Sequence, residues 1–486
     1  MRVAHVVMRA SLRRPLRGRF TLPPFTDPAI GFYWPVCLAF AAICFAISYP
    51  GRLNQDSLYA VVAMTAPGQL GNWHSPTLAW LWSLPGPLLG QPAGALLIQS
   101  LLLGLYAGFL PRVPPTVRGW LTLSLELVLR LALVGGFGFI GKDIIVLAAM
   151  LIGIQLLRCG VQSGFTRAQC AALALLILFV LLIRAPNFLT FVLALALILP
   201  FFLRSPRLYA ALVAGALLLG MLAVPLNRAV DRTIFHARDA HPDKQLVIFD
   251  LAAISMRTGT NAFARVPGWP TATLPPVAGC FLPYMWDAFA PWGPCRGYSA
   301  AYDRLEAPLK RRWAAEILSH PLAYAGHRMA YTGYLLQSRD HRTWGIGGSA
   351  VNDAASAASL AEMRAIMSGL QADRPIRLWQ AHAAMVPFQR LEALLLRYPK
   401  VQSVGLIGSL AVLLICWLRR QRGVRLGALV PAGLGMGNFG MLVVFGVADP
   451  ARYMLPTTCL CYVALLALLA PGREDGAAVP GNGGGC

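Results

Sequence analysis

The chain has 486 residues, 57% of them hydrophobic and only 13% charged, with a mean hydropathy of +0.59. A soluble domain of this size carries about twice that share of charge, so the composition excludes an ordinary soluble protein. The net charge of +22 sits in short arginine clusters between alternate apolar runs. That pattern excludes a continuous nucleic-acid-binding face and follows the positive-inside rule, with anionic lipid headgroups as counter-charge.

Residues 1–29 form a basic lead with Arg2, Arg9, Arg13, Arg14, Arg17 and Arg19, expected on the cytoplasmic side. The apolar run Gly31–Ser48 follows, with Tyr33 and Trp34 as an interfacial belt. Ala46-Ile47-Ser48 has the small-residue form of a signal-peptidase site, but the long lead and near-spanning length favour a retained helix. The chain then emerges in a first outer loop, residues 49–76, holding Asn54-Gln55-Asp56-Ser57 and Trp73-His74-Ser75-Pro76. Two readings of this loop stand side by side. Asn54 and Asp56 cap a surface helix, or an acid and an imidazole flank a short amphipathic segment as a reaction centre.

Leu78–Leu89 is interrupted by Pro85 and Pro87 and reads as a helix lying at the surface, so the first return crossing is Pro92–Leu110. Gly119–Ile140 crosses outward and carries Glu126 and Arg130 in acid-first i,i+4 order, read as a structural ion pair. Gly141-Lys142-Asp143 is the next outer loop. Further crossings are expected at Ile144–Leu157, Ala168–Ile183, Phe188–Leu203 and Leu208–Leu226. Arg184-Ala185-Pro186-Asn187 lies between two of them on the outer side, and Arg158, Arg167, Arg204 and Arg207 mark the inner side.

Residues 227–400 are too long and too polar for a linker and read as a mainly helical extracytoplasmic domain. Helices are expected over Asp250–Thr258, Tyr302–His320 and Leu322–Leu336, the second with Leu305, Leu309, Trp313, Ile317 and Leu318 on one side. The domain either holds substrate or caps the bundle. Residues 401–471 complete the membrane part through Val401–Leu418, Leu426–Val447 and Met454–Leu469. Arg419, Arg420, Arg422 and Arg425 mark the inner side there, and Asp449–Tyr453 form the last outer loop. The tail, 472–486, reads as disordered.

The expected fold is an all-α polytopic membrane protein with about ten transmembrane helices. The transmembrane core spans 30–226. The same crossing count puts Asp56, His74, Lys142, Asp143, Arg184, Asp449 and Arg452 on one face. Most of the ten cysteines lie in apolar runs, where Cys acts as a small hydrophobe. Cys280 and Cys295 fall in the polar segment and either bridge or remain two thiols. His236, His241, His320, His327, His341 and His382 share that segment but show no ligand spacing, and no role is assigned to them.

The succession of Asn54, Asp56 and Ser57, His74 and Pro76, Lys142-Asp143 after the third crossing, and Arg452-Tyr453 before the last resembles the GT-C superfamily of integral-membrane glycosyltransferases. It looks especially like a bacterial branch with an N-x-D-S…H-P first loop, and Arg184 and Asn187 are similar to that branch's arginine–asparagine element. Two departures stand out. The first loop has one carboxylate where many members have paired acids, and Ser75 separates His74 from Pro76.

The resemblance implies an inverting transfer of a sugar from a polyprenyl-phosphate donor to a glycan, lipid or protein acceptor. Its setting would be the extracytoplasmic face of a bacterial inner membrane. Asp56 is implied as the base, and Lys142, Arg184 and Arg452 as partners of the lipid phosphate. Asn54, Asn187 and Tyr453 are implied as further substrate-binding positions. Asp143 either orients Lys142 or joins Asp56 on a cation. His74 is a second base, a metal ligand or a turn residue. The only cofactor in view is a divalent cation, against which the single carboxylate argues, and no metal ligand is assigned. Two other classes compete. A secondary transporter would use Glu126, Arg130 and the Pro-interrupted segments, although the two halves show no repeat. A non-catalytic scaffold would bind a partner through 227–400.

Overall fold

The computed structural model describes residues 30–470, apart from 65–67, 114, 204, 292, 338–349, 373, 398, 420–424 and 448–449. The basic lead, the tail, Arg204, His341, Arg420, Arg422 and Asp449 therefore lie outside the described residues, as does the side chain of Arg452. The described residues are mostly helical, with four two- or three-residue strands among them. Val117–Phe137, Lys142–Ser163, Pro206–Thr233 and Leu426–Phe445 are long and apolar enough to cross a membrane, by length and composition. Among the described residues six shorter apolar helical stretches accompany them: Trp34–Ser48, Ala93–Gly108, Arg167–Ile183, Asn187–Phe201, Ser403–Leu418 and Tyr453–Leu469.

The bundle begins with α1 (Trp34–Ser48), α2 (Gln55–Ala63), α3 (Pro76–Ser83) and α4 (Ala93–Gly108). Glycine lets α4 lie directly on α1: a Cβ at Gly104 would stand 2.5 Å from the Cys37 carbonyl. The stretch Leu78–Leu89, expected as one surface helix, is broken in two, with Trp80, Leu84 and Leu88 exposed. Helix α3 stops before Pro85, and its Leu78, Ala79 and Trp82 are buried in the core.

Next come α5 (Val117–Phe137), α6 (Lys142–Ser163), α7 (Arg167–Ile183), α8 (Asn187–Ile198), α9 (Pro206–Met221) and α10 (Ala223–Thr233). Glu126 and Arg130 of α5 pair at 2.8 Å. Arg130, 0% exposed, also donates to the carbonyls of Ala107 (2.7 Å) and Phe109 (2.6 Å), so its guanidinium is a fixed structural cation.

The polar segment supplies α11 (Lys244–Thr258), α12 (Gly297–Ser319), α13 (Pro321–Gln337), α14 (Ala357–Gly369) and α15 (Val386–Glu392). Helix α12 starts five residues earlier than the periodicity indicated and bends at Leu305, three residues before Pro308. Leu309 on it is buried, whereas Leu318 is 82% exposed and leaves the expected apolar side. The cysteine alternative resolves in favour of a Cys280–Cys295 disulfide.

This segment does not form a single core. Helices α11 to α13 enclose Ile248, Phe249, Tyr298, Tyr302 and Tyr331, together with Met441, Leu442 and Met454. Val351, together with Met363 and Ile366 of α14 and Leu370 just after it, instead joins the bundle core with Leu53, Leu58 and Val61. Val351 and α14 thus pack with the bundle rather than with α11 to α13.

Helices α16 (Pro399–Leu418), α17 (Leu426–Phe445) and α18 (Pro450–Leu469) close the bundle. Helix α17 approaches α8 at Gly437, where a Cβ would meet the Thr190 carbonyl at 2.3 Å. At one end of the bundle β1 (Ile30–Phe32) pairs antiparallel with β3 (Phe109–Pro111). Arg118 donates to the Leu469 carbonyl (2.8 Å) and Arg425 to that of Leu468 (2.9 Å), both at the C-terminus of α18, where cations are favoured. At the other end β2 (Arg52–Leu53) runs parallel to β4 (Phe139–Ile140).

Candidate active site

The β2–β4 contact brings two loops together. Gly51 has φ +108, a conformation costly for any side chain, and turns the chain so that Arg52 lies against Phe139. Arg52 is nearly buried: its guanidinium donates to the Gly135 carbonyl (3.1 Å) and lies 5.5 Å from the rings of Phe139 and Trp379. Asn352, fully buried, accepts from the Leu53 N–H (3.0 Å) and donates to the Gly51 carbonyl (2.9 Å). The first loop is therefore held from both sides.

Helix α2 starts immediately after. Asn54 Oδ1 accepts from the Ser57 N–H (2.8 Å), and Ser57 Oγ accepts from the Asn54 N–H (2.9 Å), a reciprocal capping box. The capping reading thus describes Asn54 and Ser57, the latter in a role that the motif alone did not reveal. Asp56 is the second residue of the helix, and its side chain lines the recess described below.

The opposite wall is built around Gln99, 0% exposed within the otherwise apolar α4. Its Nε2 donates to the carbonyls of Phe137 (2.8 Å) and Phe139 (2.9 Å), and its Oε1 accepts from the Gly141 N–H (3.0 Å). One buried amide thereby fixes the turn that starts α6, whose first two residues are Lys142 and Asp143. The N-cap position of α6 is Gly141, which has no side chain of its own to offer. Asp143, 5% exposed, accepts from Arg184 Nη1 at 2.6 Å, and the Arg184 guanidinium lies 4.6 Å from the Tyr453 ring. Asn187 opens α8, with its N–H on the Arg184 carbonyl (2.9 Å). Its side chain is buried, and neither amide atom has a hydrogen-bond partner.

Between these walls is a recess of about 470 Å³, counting the part open to solvent. Asn54, Asp56, His74, Lys142 and Asp143 line it, and Trp82, Phe139, Ile144 and Leu455 form its apolar side. The His74 ring stacks on Tyr59 at 6.2 Å. Burial, reinforced by the charge of Glu362 on α14, raises the Tyr59 hydroxyl's pKa and keeps it protonated. Ser75, the residue that interrupts the His-Pro motif, caps α3 through the Leu78 N–H (3.3 Å) and donates to the Leu182 carbonyl (3.0 Å).

Five of the sequence-selected positions therefore meet directly at the recess. Arg184 joins them through Asp143, and Tyr453 joins through Arg184. Asn187 stands behind Arg184 on α8. Asp143 is engaged by Arg184, a pairing the sequence reading did not anticipate. For a divalent ion to use Asp56 and Asp143 together it would have to compete with Arg184, so this donor set fits a metal poorly.

The polar segment grips the first outer loop at residues 70–73 and the end of α17 at Gly446 and Val447. The backbone of Leu70 and Asn72 bonds to Arg238, and Asn72 accepts from the Ala240 N–H (2.7 Å). Trp286, inside the disulfide-closed loop, lies 5.6 Å from Trp73, and its N–H donates to the Val447 carbonyl (2.9 Å). Arg328 donates to the Gly446 carbonyl (2.7 Å) and pairs with the fully buried Asp250. Sequence reading missed Arg52, Gln99, Trp286 and Asn352. Only Gln99, a lone amide in an apolar run, carried a legible signal. No protein-family model, no curated protein and no solved structure matches the chain.

Proposed function

We propose that the protein is a GT-C-like glycosyltransferase whose ten apolar helices cross a bacterial inner membrane, with the recess at the extracytoplasmic face. The observation that carries this reading is one recess holding the Asp56 carboxylate and, on another wall, a helix start bearing Lys142 with Arg184 close behind. A helix N-terminus with adjacent cations suits a phosphate. An acid in the same recess suits deprotonation of an acceptor.

In this mechanism the acceptor hydroxyl or amine gives its proton to Asp56 and attacks the anomeric carbon of a polyprenyl-phosphate sugar. The bond from that carbon to the phosphate oxygen breaks with inversion. Lys142, the N–H groups opening α6 and Arg184 meet the charge developing on the lipid phosphate. Tyr453 backs the Arg184 guanidinium, and Arg452 is proposed as a further phosphate partner. Asn54 acts by holding α2, and His74 orients the acceptor. A transporter reading is less well supported, because Arg130, its best intramembrane cation, is held through both terminal nitrogens by two carbonyls and Glu126.

Replacing Asp56 by Asn tests the proposal. Transfer from a polyprenyl-phosphate sugar should be abolished, with abundance and thermal midpoint unchanged. An unaltered glycan profile in that variant would sink the enzyme reading in favour of a scaffold.

A further inference from the structure

Away from the recess, the turn before α11 meets α12 just past its bend. His241, Asp243 and Glu306 there offer ligand atoms that all lie within 4.8 Å of one another. His241 Nδ1 is 3.0 Å from Glu306 Oε2. What separates this group from an ordinary ion cluster is how the two carboxylates divide their oxygens. Asp243 Oδ2 receives the Tyr302 hydroxyl (3.1 Å) and the Lys310 ammonium, and Glu306 Oε1 receives the same ammonium. That leaves Asp243 Oδ1 and His241 Nδ1 as buried atoms with no hydrogen bond. Arg228 forms a longer ion pair with Asp243 Oδ1 at 3.6 Å, and Asp239 Oδ1 stands 3.9 Å from His241 Nδ1, neither within hydrogen-bond range.

We infer that His241, Asp243 and Glu306 form a binding site for a divalent transition-metal cation of the zinc type. An imidazole nitrogen with two carboxylate oxygens is a zinc donor set, and a water completes four-coordination. Lys310 and Tyr302 hold the distal carboxylate oxygens, as outer partners do around bound metals. A buried acceptor left unbonded is costly, and a cation removes that cost. The site also has a structural consequence. The turn at 239–243 follows directly on Arg238, whose backbone carries the first loop, so an ion here fastens that loop's support to α12.

The test uses the full chain in detergent, stripped with chelator and titrated with Zn²⁺ at neutral pH by calorimetry, with bound metal counted by elemental analysis. One zinc per chain is expected, and added zinc should raise the thermal midpoint. His241→Gln and Glu306→Gln should each weaken binding by more than about tenfold and lose the thermal shift. His320→Gln, in the separate Glu316 cluster, should change neither. Should one variant fail to fold, Asp243→Asn gives the same comparison. Absence of bound zinc, or binding unchanged in the ligand variants, overturns the site and leaves a salt-bridge network around Lys310.

Discussion

The Arg184–Asp143 pair permits the sharpest separation of fold from function. Asp143 is 5% exposed and Arg184 approaches it at 2.6 Å, while the Arg184 side chain keeps 19% of its surface open. Arg184→Met removes the guanidinium that pairs with a carboxylate inside the bundle, a change that costs about 3–5 kcal/mol in buried pairs. The partial exposure of Arg184 puts the expectation near the low end, about 3 kcal/mol, with lost stacking on Tyr453 adding about 0.5–1 kcal/mol. Arg184→Met combined with Asp143→Asn removes both charges and should return to within about 1 kcal/mol of the parent, since neutral replacement of a buried pair is often tolerated. Denaturant or thermal unfolding in mixed micelles, followed by tryptophan emission, reads the stability. Sugar transfer from a polyprenyl-phosphate donor reads the site. The double variant should be folded and inactive. A single variant as stable as the parent would refute the charge-compensation argument, and a double variant that regained transfer would refute the role of Arg184 in holding the leaving phosphate.

Three further outcomes follow from other parts of the molecule. Gln99→Leu strands the Gly141 N–H and two carbonyls in the core, so it should cost roughly 3 kcal/mol or more, read as a lower unfolding midpoint. Gly437→Ala drives a methyl into the Thr190 carbonyl and should destabilise by about 1–3 kcal/mol, whereas Gly215→Ala, in open space on α9, should be neutral or slightly stabilising in the same assay. His327 is held neutral: burial, against a weaker opposing pull from Asp250, puts its pKa below the ordinary value of 6.5. The unfolded chain therefore takes up a proton near pH 6.5 before the folded one does, so stability declines as pH falls from 6.5 toward the folded pKa. His327→Gln should flatten that decline, and a midpoint-versus-pH curve identical to the parent's would exclude it.

How far the sequence reaches can be judged from particular residues. The helices were legible because apolar runs of membrane-crossing length leave little choice of structure, and the turns between them are marked by Pro, Gly and Arg. The gathering of Asp56, Lys142 and Arg184 was legible only through the alternation of sides, which says that they share an end of the bundle but not that they touch. Contact depends on Arg52 lying against Phe139 and on Gln99 spanning the 137–141 turn, both long-range pairings with no local pattern. Asn352 is further still, bonding to Gly51 and Leu53 from 301 and 299 residues away. The division of 227–400 between two cores was hidden for a related reason. No helix was expected at α14, and nothing local to it says whether its Met363 and Ile366 meet α12 or the bundle. Cys280 and Cys295 were open for want of the 6.0 Å Cα–Cα approach that the fold provides.

The most direct measurement is an experimental structure of the protein with a polyprenyl-phosphate sugar bound. The phosphate should lie at the start of α6, within hydrogen-bond reach of Lys142 and Arg184, with the sugar turned toward Asp56. A lipid phosphate seated at the opposite end of the bundle, or on the polar segment away from Asp56, would contradict the proposed chemistry.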